Sequence, residues 1–127
     1  MNTAYRVWDG EQMHYWDDEG ISLTIENDGS WFLWHAFGGG CVVSSDDKEA
    51  VLMWGTQLKD ETNQEIWEGD IRKDSLGRIF KVVYYDHLAA FYGEYPGGLI
   101  QSLADCGQDS EFLGIVYGNP ELLEAGE

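Results

Sequence analysis

Basic residues are scarce in this sequence. Seven Lys and Arg residues stand against twenty-four Asp and Glu residues, which gives a formal net charge of −17 over 127 residues. Nucleic-acid binding depends on Lys and Arg side chains that neutralise phosphates, and Arg72-Lys73 is the only adjacent basic pair. The composition therefore argues against direct nucleic-acid binding. The acidic excess either serves solubility alone or favours a basic protein as the partner.

The acidic excess is uneven along the chain. Residues 1–50 contain ten acids and two bases, residues 51–95 eight and five, and residues 96–127 six acids and no base. A basic partner should therefore favour the ends of the chain over its middle. We predict that its contacts are Asp17, Asp18, Glu19, Asp46, Asp47 and Glu49.

Cysteine is almost absent, and long apolar runs are missing. Cys41 and Cys106 form no CxxC pair, and no secretory apolar region follows Met1. No run approaches the roughly 20 apolar residues of a membrane helix. These absences predict a reducing cytoplasm, no structural disulfide and no membrane association.

Two Pro residues, sixteen Gly residues and an aromatic content of 14% favour short strands and many turns over long helices. The length fits one compact domain. We expect a mainly β fold (β-rich α+β) of short antiparallel strands. By fold-level analogy its core resembles a small SH3-like barrel, and Asn119 and Pro120 would cap and open a short C-terminal helix.

Individual strands can be placed by hydrophobic pattern. The stretch 21–25 alternates apolar and hydroxyl residues like a half-buried strand, whereas 31–37 is apolar enough for a strand covered on both faces. Further strands are predicted at 79–85, 88–95 and 112–117. A hinge at Gly38-Gly39-Gly40 would separate an N-terminal β layer, 1–37, from a barrel-like core, 51–95, which a strand and helix at 112–124 would close.

The central stretch reads QLKDETNQEIWEGDI and runs from Gln57 to Ile71. Asp60 and Asn63 suit a chain reversal, and Gly69 allows a tight turn before a strand that begins near Asp70. The stretch resembles the central signature of the YopX family of phage and prophage proteins, a "GLKDKNGKEIYEGDIV" type of string. Thr56, Thr62-Asn63-Gln64 and Trp67 depart from that pattern.

The resemblance extends over nearly the whole chain in the same order, since RVWD (6–9), GRIFKVVYYD (77–86) and FLGIVYGNPELLE (112–124) also match family segments. It implies a single YopX-like domain, 1–127, and structural roles for the signature residues. These residues are Trp8, Asp9, Leu58, Lys59, Asp60, Glu65, Ile66, Glu68, Gly69, Asp70, Asn119 and Pro120.

The resemblance implies a phage setting, in the cytoplasm of a bacterial host, without an activity to transfer. Our first hypothesis is a non-enzymatic accessory protein that binds a host or phage protein, in its sharper form as an acidic mimic of nucleic acid that inhibits a defence or DNA-handling protein. The alternatives are a self-associating assembly module, which makes a homo-oligomer, and a small-molecule or metal-binding protein.

The sequence contains no clear motif for a metal site or for a catalytic site. His14, His35 and His87 with the two cysteines lack the short paired spacing of zinc ligands. Asp86-His87 is the nearest approach to a catalytic pair, and no nucleophile motif accompanies it. We therefore predict no catalytic residue, no metal and no cofactor. The six Trp residues should lie mostly in the core, with one or two exposed as interface anchors.

Overall fold

The computed structural model describes residues 4–36 and 40–125. Among the described residues, strands predominate and helices are few and short. The strands are β1 (Tyr5–Trp8), β2 (Met13–Tyr15), β3 (Ile21–Ile25), β4 (Trp31–His35), β5 (Gly40–Ser44), β6 (Val51–Lys59), β7 (Glu65–Trp67), β8 (Asp70–Lys73), β9 (Ile79–Tyr85), β10 (Ala90–Glu94), β11 (Ile100–Ser102) and β12 (Glu111–Ile115). The helices are a 3-10 turn at Asp86–Leu88, α1 (Leu103–Cys106) and α2 (Glu121–Ala125).

The predicted fold class is confirmed. The sheets are antiparallel, one of them curls into a half-barrel, and a short helix lies at the C-terminal end. The chain divides inside β6 into two compact units, an N-terminal unit (Thr3–Trp54) and a C-terminal unit (Gly55–Glu127). The division into 1–37, 51–95 and 112–124 stays a prediction, and Phe37, Gly38 and Gly39 lie outside the described residues.

The N-terminal unit contains two sets of paired strands. β1 pairs with β2 on one side and with the first residues of β6 on the other. β4 lies between β3 and β5. Apolar side chains from both sets form a shared core, which consists of Val7, Trp31, Leu33 and Val43 with Tyr5, Ile21, Leu23, Ala50 and Leu52 packed against it.

β3 has the predicted bounds, but the prediction that β4 is covered on both faces is wrong. Trp31 and Leu33 are buried, whereas the intervening side chains point outward and Trp34 is 39% exposed. Successive side chains of a strand point to opposite faces of the sheet, and this sheet has its core on one face only. Composition alone does not reveal which face is covered.

The C-terminal unit is built on a five-stranded sheet with the order β11-β10-β9-β8-β12. Its core consists of Ile66, Phe80, Val82, Tyr95, Leu103 and Cys106, with Phe91 packed against it. α1 contributes Leu103 and Cys106 to this core.

Two strands of the C-terminal unit differ from their predicted bounds. The strand predicted at 88–95 begins only at Ala90, because the 3-10 turn precedes it and Ala89 adopts a left-handed conformation with φ 52°. The last strand ends at Ile115, because a turn at 116–118 follows. The side-chain oxygen of Asn119 accepts a hydrogen bond from the N–H of Ile115 at 3.3 Å. The Asn119 side chain therefore points back toward β12.

Candidate protein interface

The six predicted contact acids all lie in exposed turns of the N-terminal unit. Three of them are in the turn between β2 and β3, and three are in the loop between β5 and β6. Each turn uses one carboxylate to shape its backbone. Asp18 Oδ2 accepts the N–H of Tyr15 and Asp47 Oδ2 accepts the N–H of Ser44, both at 2.9 Å. Local geometry therefore accounts for one acid in each turn and leaves the exposed charge of the others unexplained.

The two acidic turns lie at opposite ends of the β3-β4-β5 sheet. Asp17, Asp18 and Glu19 precede Ile21, which pairs with the last residue of β4. The other three follow Ser44, which pairs with Phe32 near the beginning of β4. A five-residue strand is about 16 Å long. The structure therefore separates the predicted contact acids into two groups.

Two further turns meet the loop at 45–50. The N–H of Trp31, just after the β3–β4 turn, donates to Ser45 Oγ at 3.0 Å. A methyl group on Gly10, in the β1–β2 turn, would lie 2.7 Å from Glu49 Oε2. One end of the N-terminal unit thus collects seven acids, and Lys48 is the one Lys or Arg residue that the described turns place among them. We call these acids the acidic end: Asp9, Glu11, Glu26, Asp28, Asp46, Asp47 and Glu49.

Sequence reasoning missed four members of the acidic end, namely Asp9, Glu11, Glu26 and Asp28. The available signal was topological. In an antiparallel chain every second turn returns to the same end of the sheet, and the turns near positions 10, 28 and 47 are alternate turns of the N-terminal unit.

Hydrogen bonds keep two of these acids ionised. Burial acts to raise the pKa of Asp9, but bonds from the N–H of Gln12, the His14 ring and the N–H of Glu11 outweigh it and lower the pKa. The hydroxyl and N–H of Ser30 lower the pKa of Asp28. Both carboxylates therefore keep their charge in mildly acidic solution.

The C-terminal unit contains a buried charge network centred on Arg72. This side chain is 1% exposed, and its Nε donates to Ser110 Oγ at 2.7 Å. Its Nη2 donates to Asp60 Oδ2 at 2.6 Å, and its Nη1 lies 3.6 Å from Asp70 Oδ2. Asp60 and Asp70 are both members of the signature stretch. The signature thus supplies both carboxylates that face this arginine.

Asp60 also shapes the turn between β6 and β7. Its Oδ1 accepts the N–H groups of Thr62 and Gln64 at 2.9 and 3.1 Å. Burial opposes ionisation of Asp60, but bonds from Thr62, Gln64 and Arg72 outweigh it and lower the pKa to about 2. Because both oxygens of the Asp60 carboxylate accept hydrogen bonds from other groups of the protein, we assign this side chain a structural role.

The described residues that were weighed for metal or catalytic chemistry do not gather into one site. His14 Nε2 is 2.8 Å from Asp9 Oδ2, and the exposed His87 packs its ring edge against Tyr85. Cys41 is exposed, whereas burial raises the pKa of the Cys106 thiol. Within residues 4–36 and 40–125, no three His, Cys, Asp or Glu side chains form a group that could hold a metal ion.

A family model described as YopX protein matches residues 4–124. The chain belongs to the YopX family. It is 37% identical to the SPbeta prophage-derived uncharacterized protein YopX of Bacillus subtilis (strain 168), and the match covers 98% of each chain. This chain is also similar to the crystal structure of yopX from Bacillus subtilis, with a TM-score of 0.76 and 37% sequence identity. The match covers 97% of this chain and 99% of the yopX chain. Protein EF1440 from Enterococcus faecalis shares the fold, with a TM-score of 0.55 and 22% sequence identity. This match covers 94% of this chain and 96% of the EF1440 chain.

The YopX signature residues occupy several kinds of position. Ile66 and Asp70 are buried, and Gly69 turns the chain between β7 and β8 with φ 89°. Leu58 and Lys59 are exposed and line a pocket of about 410 Å³ with Leu103 and other neighbours. Of the remaining signature residues, Pro120 is exposed, and the half-buried ones are Trp8, Asp9, Asp60, Glu65, Glu68 and Asn119.

No helix in the described part of this YopX-family chain is long and apolar enough to cross a membrane. Of the six Trp residues, Trp31 is buried and Trp8, Trp54 and Trp67 are half-buried. Trp16 and Trp34 are 45% and 39% exposed, in line with the expected one or two exposed rings, whereas fewer of the six lie in the core than predicted, because Trp31 alone of them is buried.

Proposed function

We propose that this YopX-family protein is a non-enzymatic accessory protein of a phage or prophage that binds a basic protein of the host or of the phage. The observation that carries the proposal is the acidic end. Three turns that are remote in sequence meet there and present seven carboxylates with one lysine. A surface of one sign complements a partner of the opposite sign.

The net charge of −17 supports the same function. A strong field raises the rate of association with a basic partner, and this rate falls as salt screens the charges. The sharper form of the proposal is nucleic-acid mimicry. In it, the carboxylates take the place of phosphates and block the basic groove of a defence or DNA-handling protein.

Affinity capture from bacterial lysate tests the function. The tagged protein is incubated at about 50 mM and about 500 mM salt, and retained proteins are identified by mass spectrometry. We expect a basic protein that is retained at low salt and lost at high salt. Retention that is independent of salt would contradict an electrostatic interface.

Competition with duplex DNA tests the mimic form. A captured DNA-binding protein is purified and loaded with labelled DNA, and the YopX-family protein is added. Mimicry predicts displacement of the DNA at the concentrations that saturate the direct complex. A ternary complex that retains the DNA would refute mimicry and leave protein binding intact.

A small-ligand function is the second candidate, and the pocket at Leu58 and Lys59 favours it. Apolar Leu58 and Leu103 lie in this pocket beside polar Gln57, Lys59 and Gln108. A ligand that binds only the folded state raises the melting temperature. A thermal-shift screen of small carboxylates and phosphates, repeated with Lys59→Met, would support this candidate if a shift disappeared in the variant.

A further inference from the structure

The outward face of the β3-β4-β5 sheet carries no charge. Alternation places the residues between the buried positions on this face, and most of them are exposed. We call this face the neutral platform, and its residues are Ser22, Thr24, Phe32, Trp34, Cys41, Val42 and Ser44; Cys41 is the partner of Trp34, and a bulge in the pairing of β4 with β5 places Val42 beside it. The absence of charge here is notable, because the protein as a whole has a net charge of −17.

Two aromatic rings form the centre of the neutral platform. The ring centroids of Phe32 and Trp34 are 6.1 Å apart, with an interplanar angle of 33°. Trp34 Nε1 donates to Thr24 Oγ1 at 3.1 Å, which fixes the indole against the sheet although it is 39% exposed. A ring held in place in the unbound protein loses little freedom when a partner packs on it.

Acids border the platform at both ends. The acidic end lies beside the beginning of β4, and Asp17, Asp18 and Glu19 lie beyond its last residue. A second copy stacked on this face would bring acidic turns of two chains together, and nucleic acid would be repelled. A basic segment avoids both penalties, because its cations can pair with the acids while its centre contacts the rings.

We propose that the neutral platform binds an extended, arginine-containing segment of the basic partner. Guanidinium groups stack on aromatic faces more readily than ammonium groups, so an arginine is the expected neighbour of Trp34 and Phe32. An extended chain rises about 3.3 Å per residue, so basic residues roughly five positions apart reach the acids at the two ends. The inference rests on the proposed function and specifies its partner.

Labelled nona-arginine and nona-lysine peptides test the inference, because they have equal charge and differ in stacking. Titrations by fluorescence anisotropy at low salt should show about fivefold tighter binding of nona-arginine. Trp34→Thr should remove this preference by weakening nona-arginine binding about fivefold and nona-lysine binding by less than about twofold, because both cations are attracted to an indole face and guanidinium stacks better. Trp34→Tyr should retain most of the preference. Phe112→Thr is the matched control, since Phe112 is a strand aromatic in the C-terminal unit and is 48% exposed.

A second pair of variants keeps the rings in place. Val42→Arg puts a cation on the platform at a position that is 40% exposed, and Phe112→Arg adds the same charge elsewhere. Val42→Arg should weaken nona-arginine binding at least threefold more than Phe112→Arg. Far-ultraviolet circular dichroism and melting curves confirm that each variant is folded.

Equal affinity for the two peptides, with no effect of Trp34→Thr, would refute the proposal that the neutral platform binds an arginine-containing segment. If neutralising the six predicted contact acids still weakened nona-lysine binding, the proposed function would stand; if it changed neither peptide, that function would fail as well. A dimer abolished by Trp34→Thr, or oligo-dT binding that depends on Trp34, would overturn the inference by assigning the face to a second copy or to single-stranded DNA.

Discussion

Asp60 and Arg72 form a buried ion pair in which Asp60 Oδ2 lies 2.6 Å from Arg72 Nη2. Asp60 follows β6 and Arg72 lies in β8, so the pair ties the β6–β7 turn to the five-stranded sheet of the C-terminal unit. Ser110 binds the same guanidinium through both its hydroxyl and its carbonyl oxygen. Arg72 therefore holds together three segments that are distant in sequence, and the YopX signature supplies the aspartate that pairs with it.

Replacement of Asp60 should strongly destabilise the protein. Asp60→Asn leaves a buried guanidinium without its closest carboxylate, and the loss of one partner of a buried pair costs roughly 3 kcal/mol. Chemical unfolding in urea at pH 7 measures the difference. Glu61→Gln is the control, because Glu61 is an exposed neighbour and should change the free energy of unfolding by less than about 0.5 kcal/mol. Equal stability of the two variants would contradict the role given to Asp60.

Stability should fall in acid. The pKa of Asp60 is about 2 in the folded protein against an ordinary value of 3.8. The unfolded chain therefore binds a proton first, so this contribution is complete above about pH 5 and is lost as the pH falls toward 2. The expected loss is about 2 kcal/mol from Asp60 alone. Urea midpoints of wild type and Asp60→Asn between pH 7 and pH 2.5 should converge; parallel curves would contradict the assignment.

A methyl group at position 93 should not fit. It would lie 2.7 Å from Phe80 Cδ2 and 2.9 Å from Cys106 Sγ, inside the core of the C-terminal unit. Overpacking of this kind costs about 1–3 kcal/mol, so Gly93→Ala should lower the melting temperature by several degrees. Gly40→Ala is the control, because Gly40 also lies in a strand and a methyl group there meets open space. A melting temperature of Gly93→Ala equal to wild type would contradict the packing.

Local patterns predicted the elements that depend on neighbouring residues. The apolar and hydroxyl alternation of ISLTI gave the bounds of β3. The run WFLWHAF suggested two covered faces, yet Trp34 is exposed, because burial of a face depends on which other strands pack against it. The strand predicted from Leu88 starts late for a local reason, the left-handed Ala89, which no glycine or asparagine marks in the sequence.

Contacts between distant residues could not be predicted in the same way. The pair of Asp60 and Arg72 spans 12 residues, and Ser110 lies 38 residues beyond Arg72. The acidic end likewise depends on three turns whose meeting requires the strand order. The sequence showed acidic excess and two of its clusters, while only the pairing of β3, β4 and β5 shows that these clusters lie at opposite ends of one sheet.

Neutralising the predicted contact acids should leave the fold intact. The turn-neutral variant replaces Asp17, Asp18, Asp46 and Asp47 by Asn, and Glu19 and Glu49 by Gln. Asparagine retains an oxygen that can accept the N–H groups of Tyr15 and Ser44, and the substitutions relieve repulsion between like charges. Its free energy of unfolding should equal that of wild type or exceed it by up to about 1 kcal/mol. A large loss of stability would show that these acids maintain the turns.

A control variant of equal charge separates location from net charge. It neutralises six exposed acids of the C-terminal unit in the same way: Glu61, Asp86, Asp105, Asp109, Glu111 and Glu121. Six neutralisations change the net charge of each variant from −17 to −11. Any difference between the two in partner binding must therefore come from where the acids lie.

The most direct test of the central claim compares the partner affinities of these two variants at low salt. If the acidic turns of the N-terminal unit form the interface, the turn-neutral variant should bind the captured partner at least tenfold more weakly than the control variant, with a shallower dependence on salt. Equal affinities of the two variants would contradict the claim, because they would show that the six predicted contact acids contribute no more to binding than six exposed acids of the C-terminal unit.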